Sequence, residues 1–215
     1  LALLVANLEM AESLCAIDDN ARKALMSSAA PILLLPRRDE NRIAAAVAPN
    51  NRMLGLMLPA SPLHHLLAQD FGKPLVATSG NRHNEPLCHE ATQAFSKLKH
   101  IADHFLIHDR AIVRPLDDSI VRIVAGQATV LRRARGYAPL AIATSQLLIP
   151  SLALGGQWKS SIAISHGRHI IASQHLGDLD AEDSQRQFLA TQSELQRFYG
   201  LTPQRVIHDG HPDYV

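Results

Sequence analysis

The chain has 215 residues, 47% of them hydrophobic, and a formal net charge of +1. That is enough apolar content for one sizeable core, or for one core and part of another, and the near-balanced charge gives no global argument for nucleic acid or a membrane surface. Two cysteines, Cys15 and Cys88, are too few for a disulfide framework or a cysteine zinc site, and no apolar run approaches the roughly 20 residues of a membrane helix.

Both cysteines read as reduced thiols, which points to a cytoplasmic protein. The chain starts at Leu1 without a methionine and ends at Val215 just after an apparent strand. Both facts lead us to expect a piece of a longer protein. In chain order, Leu1 to Val5 is a strand-like run, and Asn7 or Leu8 opens a helix through Cys15. Asp18 suits an N-cap for a short helix from Asn20 to Met26. Pro31 to Leu35 predicts a buried strand ending in Pro36-Arg37-Arg38, and Met53 to Leu58 predicts another. Ser61-Pro62 is an N-cap with proline at the first helical position. The helix that follows carries His64 and His65, whose adjacent positions point to different faces and do not suit a shared metal ion.

The run Lys73 to Pro86 is the centre of interest. Leu75-Val76-Ala77 reads as a short strand that breaks off in Thr78-Ser79-Gly80-Asn81, four small or polar residues that no core needs. Backbone N–H groups and short donors at the carboxyl edge of a sheet favour anions such as phosphate. Taken alone, the same residues also suit an ordinary strand and polar turn. Downstream, Glu90 to His100 predicts a helix with Ala94, Leu98 and Ile101 on one side, and His104 to Ile107 predicts a strand. Asp118 to Val124 and Thr129 to Arg133 flank Ala125-Gly126-Gln127 as a β-hairpin. This alternation implies a mixed, twisted α/β sheet.

Pro139 to Pro150 reads as a linker into a second block. Leu152 to Leu154 leads to Gly155-Gly156, and Ser160 to Ser165 and His169 to Ser173 form strands around the turn His166-Gly167-Arg168. Asp180 suits the cap of a long helix with Phe188, Leu195 and Tyr199 on one face, stopped by Gly200 and Pro203. Arg205 to His208 is then a strand before Asp209-Gly210-His211-Pro212-Asp213. A hairpin behind Gly-Gly and lysine, then a helix and a strand, is how actin-like nucleotide-binding folds begin.

These residues together resemble a known family. TSGN followed by Glu85-Pro86 is similar to the nucleotide-site signature of YrdC-like domains. IVRPLDDSIVR (Ile112 to Arg122), LRRARGYAP (Leu131 to Pro139), SQHLGDL (Ser173 to Leu179) and HPDY (His211 to Tyr214) resemble the hydrogenase-maturation carbamoyltransferases, the HypF family. The resemblance implies a YrdC-like twisted mixed sheet with flanking helices over about residues 1–145. The opening β-hairpin, helix and strand of an actin-like, sugar-kinase-type domain would occupy 146–215.

It further implies ATP-dependent formation of carbamoyl-adenylate from carbamate, itself derived from carbamoyl phosphate. The carbamoyl group would then pass to the C-terminal cysteine of HypE in nickel–iron hydrogenase maturation. ATP and Mg²⁺ are the implied cofactors, with zinc and the transferase-domain metal expected only in segments outside this chain. No membrane partner is expected, and residual RNA affinity is left open. Thr78, Ser79, Asn81, Arg114, Ser119, Arg132, Arg133 and Arg135 would bind nucleotide and carbamate, with Lys159 a nucleotide contact of the second domain. The residue types suit this chemistry, since guanidinium forks match phosphates and short hydroxyls fix a small planar anion.

Other readings of the same residues stand beside these. The arginines equally suit a solvated strand edge or an RNA-facing patch. Asp117 and Asp118 could orient Mg²⁺ or pair with the arginines, and Lys159 could be an exposed turn lysine. His211 and Asp213 have no further ligand placed to complete a metal site, so no metal ligand is assigned. The family usually shows Ser-Gly where this chain has His83-Asn84; asparagine tolerates the left-handed conformation, but a hydroxyl is lost. A tRNA threonylcarbamoyl-adenylate synthase would share the first block but not the second, and a non-catalytic RNA-binding YrdC-like module would use the Arg110 to Arg135 surface alone.

Overall fold

The computed structural model describes residues 1–39, 43–82 and 85–214, so the His83-Asn84 pair lies outside the described residues. Short apolar runs lay down the first sheet, with burial alternating in one strand and continuous through most of the next. In β2 (Ile32–Pro36), Leu33 and Leu35 are buried while Ile32 and Leu34 are half-buried, and in β3 (Met53–Met57) Leu54 and Leu56 are at most 1% exposed. β1 (Ala2–Leu4), β4 (Leu75–Ala77), β5 (Ile120–Val124) and β6 (Gln127–Arg132) complete six strands in the order β4-β1-β3-β2-β5-β6. The β1/β3 and β2/β5 pairs are parallel and the other three antiparallel, which gives the mixed sheet expected from the sequence.

Side-chain caps set the helix starts of this unit. Asn7 accepts from Met10 N–H ahead of α1 (Leu8–Leu14), and Asp18 accepts from Ala21 N–H ahead of α2 (Asp19–Leu25). Ser61 does the same for α3 (Pro62–Phe71), which ends at Gly72 in the left-handed conformation. α3 buries Ala68 against Leu4 and Met57. These elements belong to a unit made of Leu1–Thr78 and Asp118–Gly136.

The other unit comprises Ser79–Asp117 and Tyr137–Val215. Its sheet has the order β11-β8-β9-β10-β7, from β7 (Ala141–Ala143), β8 (Ser151–Ala153), β9 (Ala163–His166), β10 (His169–Ala172) and β11 (Arg205–Ile207). α5 (Glu182–Tyr199) covers one face, where Leu152, Ile162, Ile164, Ile171 and Leu195 form the core with Phe188 and Tyr199 packed against it. The same unit holds α4 (Ala91–Leu98), which buries no side chain completely and leaves Ile101 exposed just beyond its end.

Four local expectations differ from the structure. The Pro139–Pro150 stretch is not only a linker, because Ala141–Ala143 pairs antiparallel with Ile171–His169 as an edge strand. His104 to Ile107 forms no strand; Leu106 and Ile107 stand exposed with no ladder partner on either side. The strand expected from Ser160 starts at Ala163, because the residues before it bond to the 173–179 stretch instead. Asp180 does not cap α5; the N-cap is Ala181, and the Asp180 carboxylate accepts from Gln157 Nε2 at 2.7 Å.

Two measurements check these assignments. Gly136 has φ +82, and an added Cβ would stand 2.4 Å from Ala29 Cα, whereas Gly167 has φ +60 and open space around it. Gly136→Ala should therefore cost about 2–5 kcal/mol in urea unfolding, against about 1–2 kcal/mol for Gly167→Ala, because only the former adds overpacking to the left-handed penalty. Cys15 is fully buried and burial pushes its thiol up to about 11, against the opposing fields of Arg38 and Arg37, while Cys88 is half-buried. Alkylation at pH 8 should then modify Cys88 alone, and Cys15 should react in the folded chain only as the pH approaches 11.

Candidate functional site

The hairpin cluster is built around a hidden hydroxyl. Ser119 is 0% exposed; its Oγ donates to the Arg135 carbonyl at 2.9 Å and accepts from Ala134 N–H at 2.8 Å. Register shifts between Ile120 and Val121, and beyond the end of β6 the hydroxyl bonds the backbone on both sides of the Ala134–Arg135 link. Arg135 is thereby aimed back along the sheet. Its Nε and Nη2 donate to Asp118 Oδ1 at 3.0 and 2.7 Å, Nη2 donates to the Ala30 carbonyl at 2.9 Å, and Nη1 to the Ala29 carbonyl at 3.3 Å. Arg132 Nε donates to the Asp118 carbonyl, and burial pushes the Arg133 guanidinium pKa down. The structure thus brings Asp118, Ser119, Arg132 and Arg135 together, with Arg133 next to Arg132 in the chain. Of the two roles open to Asp118, it takes up pairing with arginine.

Thr78 closes the first unit as an exposed residue just past β4. In the second unit, Ser79 is exposed and Asn81 half-buried. Asn81 Nδ2 donates to the carbonyls of Arg82 and Glu85 at 2.8 and 2.9 Å, so its amide shapes the turn. Cys88 N–H bonds the Gly80 carbonyl at 2.9 Å, closing the loop behind it. Arg114 lies in the same unit, where its Nε and Nη2 meet Glu194 Oε2 of α5 at 2.9 and 2.5 Å. Its fork is therefore occupied by a carboxylate that sequence reasoning did not anticipate.

The glycine loop after β8 is the third element. Gly155 has φ +67, and an added Cβ would come within 2.5 Å of the Ser161 carbonyl, so no other residue fits. A Cβ on Gly156 would stand 3.6 Å from Asp209 Oδ2 and 3.9 Å from the Tyr214 ring, which places the HPDY loop beside the glycines. His211 stacks on Tyr214 with ring centroids 4.4 Å apart. Lys159 is exposed with φ +50, and its N–H donates to Asp178 Oδ1 at 2.7 Å. The SQHLGDL stretch laces this loop: Ser160 N–H bonds the Gly177 carbonyl, Leu176 N–H the Ser160 carbonyl, and Leu179 N–H the Gln157 carbonyl. Asp178 and Asp209 were missed in the sequence; their signal was only that each stands beside a glycine, in Gly177-Asp178 and Asp209-Gly210.

A glycine-lined loop with an exposed lysine suits an anion such as phosphate, and the arginine patch concentrates positive charge. Among the described residues, no three His, Cys, Asp or Glu side chains gather as a metal site, and no helix is long and apolar enough to cross a membrane.

Residues 1–134 match the Sua5/YciO/YrdC family model, described as "Telomere recombination", and residues 148–215 match the HypF Kae1-like domain. A carbamoyltransferase HypF from Synechocystis sp. (strain ATCC 27184 / PCC 6803 / Kazusa) is 44% identical over 191 residues, covering 88% of this chain and 25% of the relative. A carbamoyltransferase HypF from Rhodobacter capsulatus is 39% identical over 214 residues, covering 98% of this chain and 28% of the relative. The crystal structure of full-length HypF in the phosphate- and nucleotide-bound form superimposes with a TM-score of 0.95 at 35% identity, covering 100% of this chain and 34% of that one. The chain thus spans about a quarter to a third of the length of these relatives.

Removing the Ser119 hydroxyl tests the hairpin cluster. Ser119→Ala should leave the Ala134 N–H buried without a partner and cost about 1–3 kcal/mol in chemical unfolding. A Ser119→Ala variant as stable as the parent would show that water or a shifted backbone replaces the hydroxyl.

Proposed function

The chain belongs to the carbamoyltransferase HypF family, and from that premise we propose that it serves ATP-dependent carbamoyl activation and transfer in nickel–iron hydrogenase maturation, in the cytoplasm. The observation that carries this reading is the tandem itself: a YrdC-type segment over residues 1–134 followed by a HypF Kae1-like segment over 148–215. A stand-alone threonylcarbamoyl-adenylate synthase would not need the second segment. The phosphate and nucleotide bound in the solved full-length HypF support the choice of ATP as substrate.

In this scheme, a carbamate oxygen attacks the α-phosphorus of ATP. The bond to the bridging oxygen of the β-phosphate breaks, and pyrophosphate leaves with that electron pair. The thiolate of a HypE C-terminal cysteine then attacks the carbamoyl carbon, forming a C–S bond and releasing AMP. The exposed hydroxyls of Thr78 and Ser79 hold the small anion, with Asn81 shaping the turn that presents them. Arg132, Arg133 and Arg135 supply positive charge toward the phosphates, and Ser119 acts through the backbone it holds, whereas Arg114 would contribute only on releasing Glu194. Lys159 meets the anionic group in the transfer step. Mg²⁺ would arrive on the triphosphate, since Asp118 is committed to Arg135 and no cage of three ligating side chains is present among the described residues.

The test is ATP–pyrophosphate exchange together with calorimetric titration of ATP in the presence of Mg²⁺. Exchange should be stimulated by carbamate and not by threonine with bicarbonate. Ser79→Ala and Arg132→Ala should each weaken ATP binding by about 1–3 kcal/mol, the range for a charge-assisted hydrogen bond. Parental affinity in both variants, or exchange driven by threonine, would overturn the reading.

A further inference from the structure

Residues 79–82 carry no helix or strand, and α4, which follows, has no fully buried side chain. Polar contacts therefore add to the apolar ones, such as Phe95 on Phe105, that this region makes. One residue meets it from two directions. Lys97, in the last turn of α4, accepts a 2.8 Å hydrogen bond from Arg82 Nε at its main-chain carbonyl. Its ammonium meets Glu85 Oε2 at 2.8 Å and Asp183 Oδ2 of α5 at 2.9 Å. The Glu85 carbonyl in turn accepts from Asn81 Nδ2, and Glu85 N–H bonds the Arg82 carbonyl at 3.0 Å. Asn81, Arg82, Glu85 and Lys97 thus form a closed ring of polar contacts, from which Lys97 also reaches α5.

A solvated lysine–carboxylate pair contributes little, about 0–1 kcal/mol. This one differs in one respect. Glu85 Oε2 is itself shielded from solvent although its side chain is 30% exposed, so without Lys97 that carboxylate oxygen would lose its counter-charge. Asp183 also pairs with Arg186, which pairs in turn with Glu182 on the exposed surface of α5. The charge states agree: Glu85 first and then Asp183 push the Lys97 pKa up, and hydrogen bonding and charge from Lys97 push Asp183 down.

We propose that Lys97 is a positioning residue for the nucleotide-binding turn, holding Ser79–Asn81 against α5 in the geometry that receives the phosphate-bearing substrate. The inference rests on the reading of that turn as a nucleotide site. Lys97 itself touches no substrate; it acts through Glu85 and Arg82 on Asn81.

The experiment is calorimetric titration of ATP with Mg²⁺ into the full chain and into Lys97→Met, Lys97→Arg, Glu85→Gln and Ser79→Ala, each at a temperature well below its Tm. Lys97→Met should raise Kd about tenfold, and Lys97→Arg, which keeps charge and reach, should recover it to within about threefold. A purely structural lysine would lower Tm and leave Kd unmoved. Parental Kd in a folded Lys97→Met protein, with weakened binding in Ser79→Ala, overturns the role of Lys97 and leaves the nucleotide turn standing. Parental Kd in Ser79→Ala overturns the nucleotide turn itself. Should Lys97→Met fail to fold, Glu85→Gln severs the same link with an isosteric change. Its Kd is expected to rise severalfold, and a Kd equal to the parent's overturns the proposal.

Discussion

Both sheets depend on one constraint: a strand that leaves its ladder must still satisfy the backbone groups it abandons. This chain meets it repeatedly with a serine. Ser119 Oγ accepts from Ala134 N–H and donates to the Arg135 carbonyl; Ser173 Oγ accepts from Ile162 N–H and donates to the Gln174 carbonyl. Ser165 Oγ accepts from Ser151 N–H and donates to the Ile149 carbonyl. A hydroxyl carries one donor and two acceptor sites, so it can stand in for a missing peptide on both sides at once. Two of these stand where the chain leaves a strand toward a candidate loop, and the third holds the entry into β8. Ser119 lets the hairpin turn its arginines, and Ser173 lets the chain pass from β10 to the stretch that laces the glycine loop.

Much of the fold was legible because local chemistry decided it. Asp18 and Ser61 each cap their helices as residue type and position suggested, Asn7 caps the helix that Asn7 or Leu8 was expected to open, and Gly200 ends α5 in the left-handed conformation. The hairpin turns at Ala125-Gly126 and His166-Gly167-Arg168 were equally local. What escaped was decided at a distance. Ala141–Ala143 is a strand because β10 offers it an edge, and nothing in an exposed Ala-Ile-Ala announces that. Leu106 and Ile107 are as apolar as any strand but found no partner, so their pattern misled.

The candidate site divides in the same way. That serines, an asparagine, arginines and a lysine cluster in a few motifs was visible in the order of residues. Which donors those side chains keep for a ligand was not. Glu194 engages Arg114 from 80 residues away, and Arg135 is held by carbonyls more than 100 residues before it. Asp178 and Asp209 matter because the chain folds them back onto Lys159 and Gly156, a fact no spacing rule contains.

The long helix α5 carries two obligations on different sides. Phe188, Leu195 and Tyr199 face the sheet, while Asp183, which meets Lys97, and Glu194, which meets Arg114, lie about three turns apart on another side. Individual positions on such a helix can drift within their class. Its length cannot. One residue gained or lost between Asp183 and Leu195 would rotate everything beyond it by about 100° and misalign either the charges or the core. A helix with much of its surface in water is therefore, in register, among the least free parts of the chain.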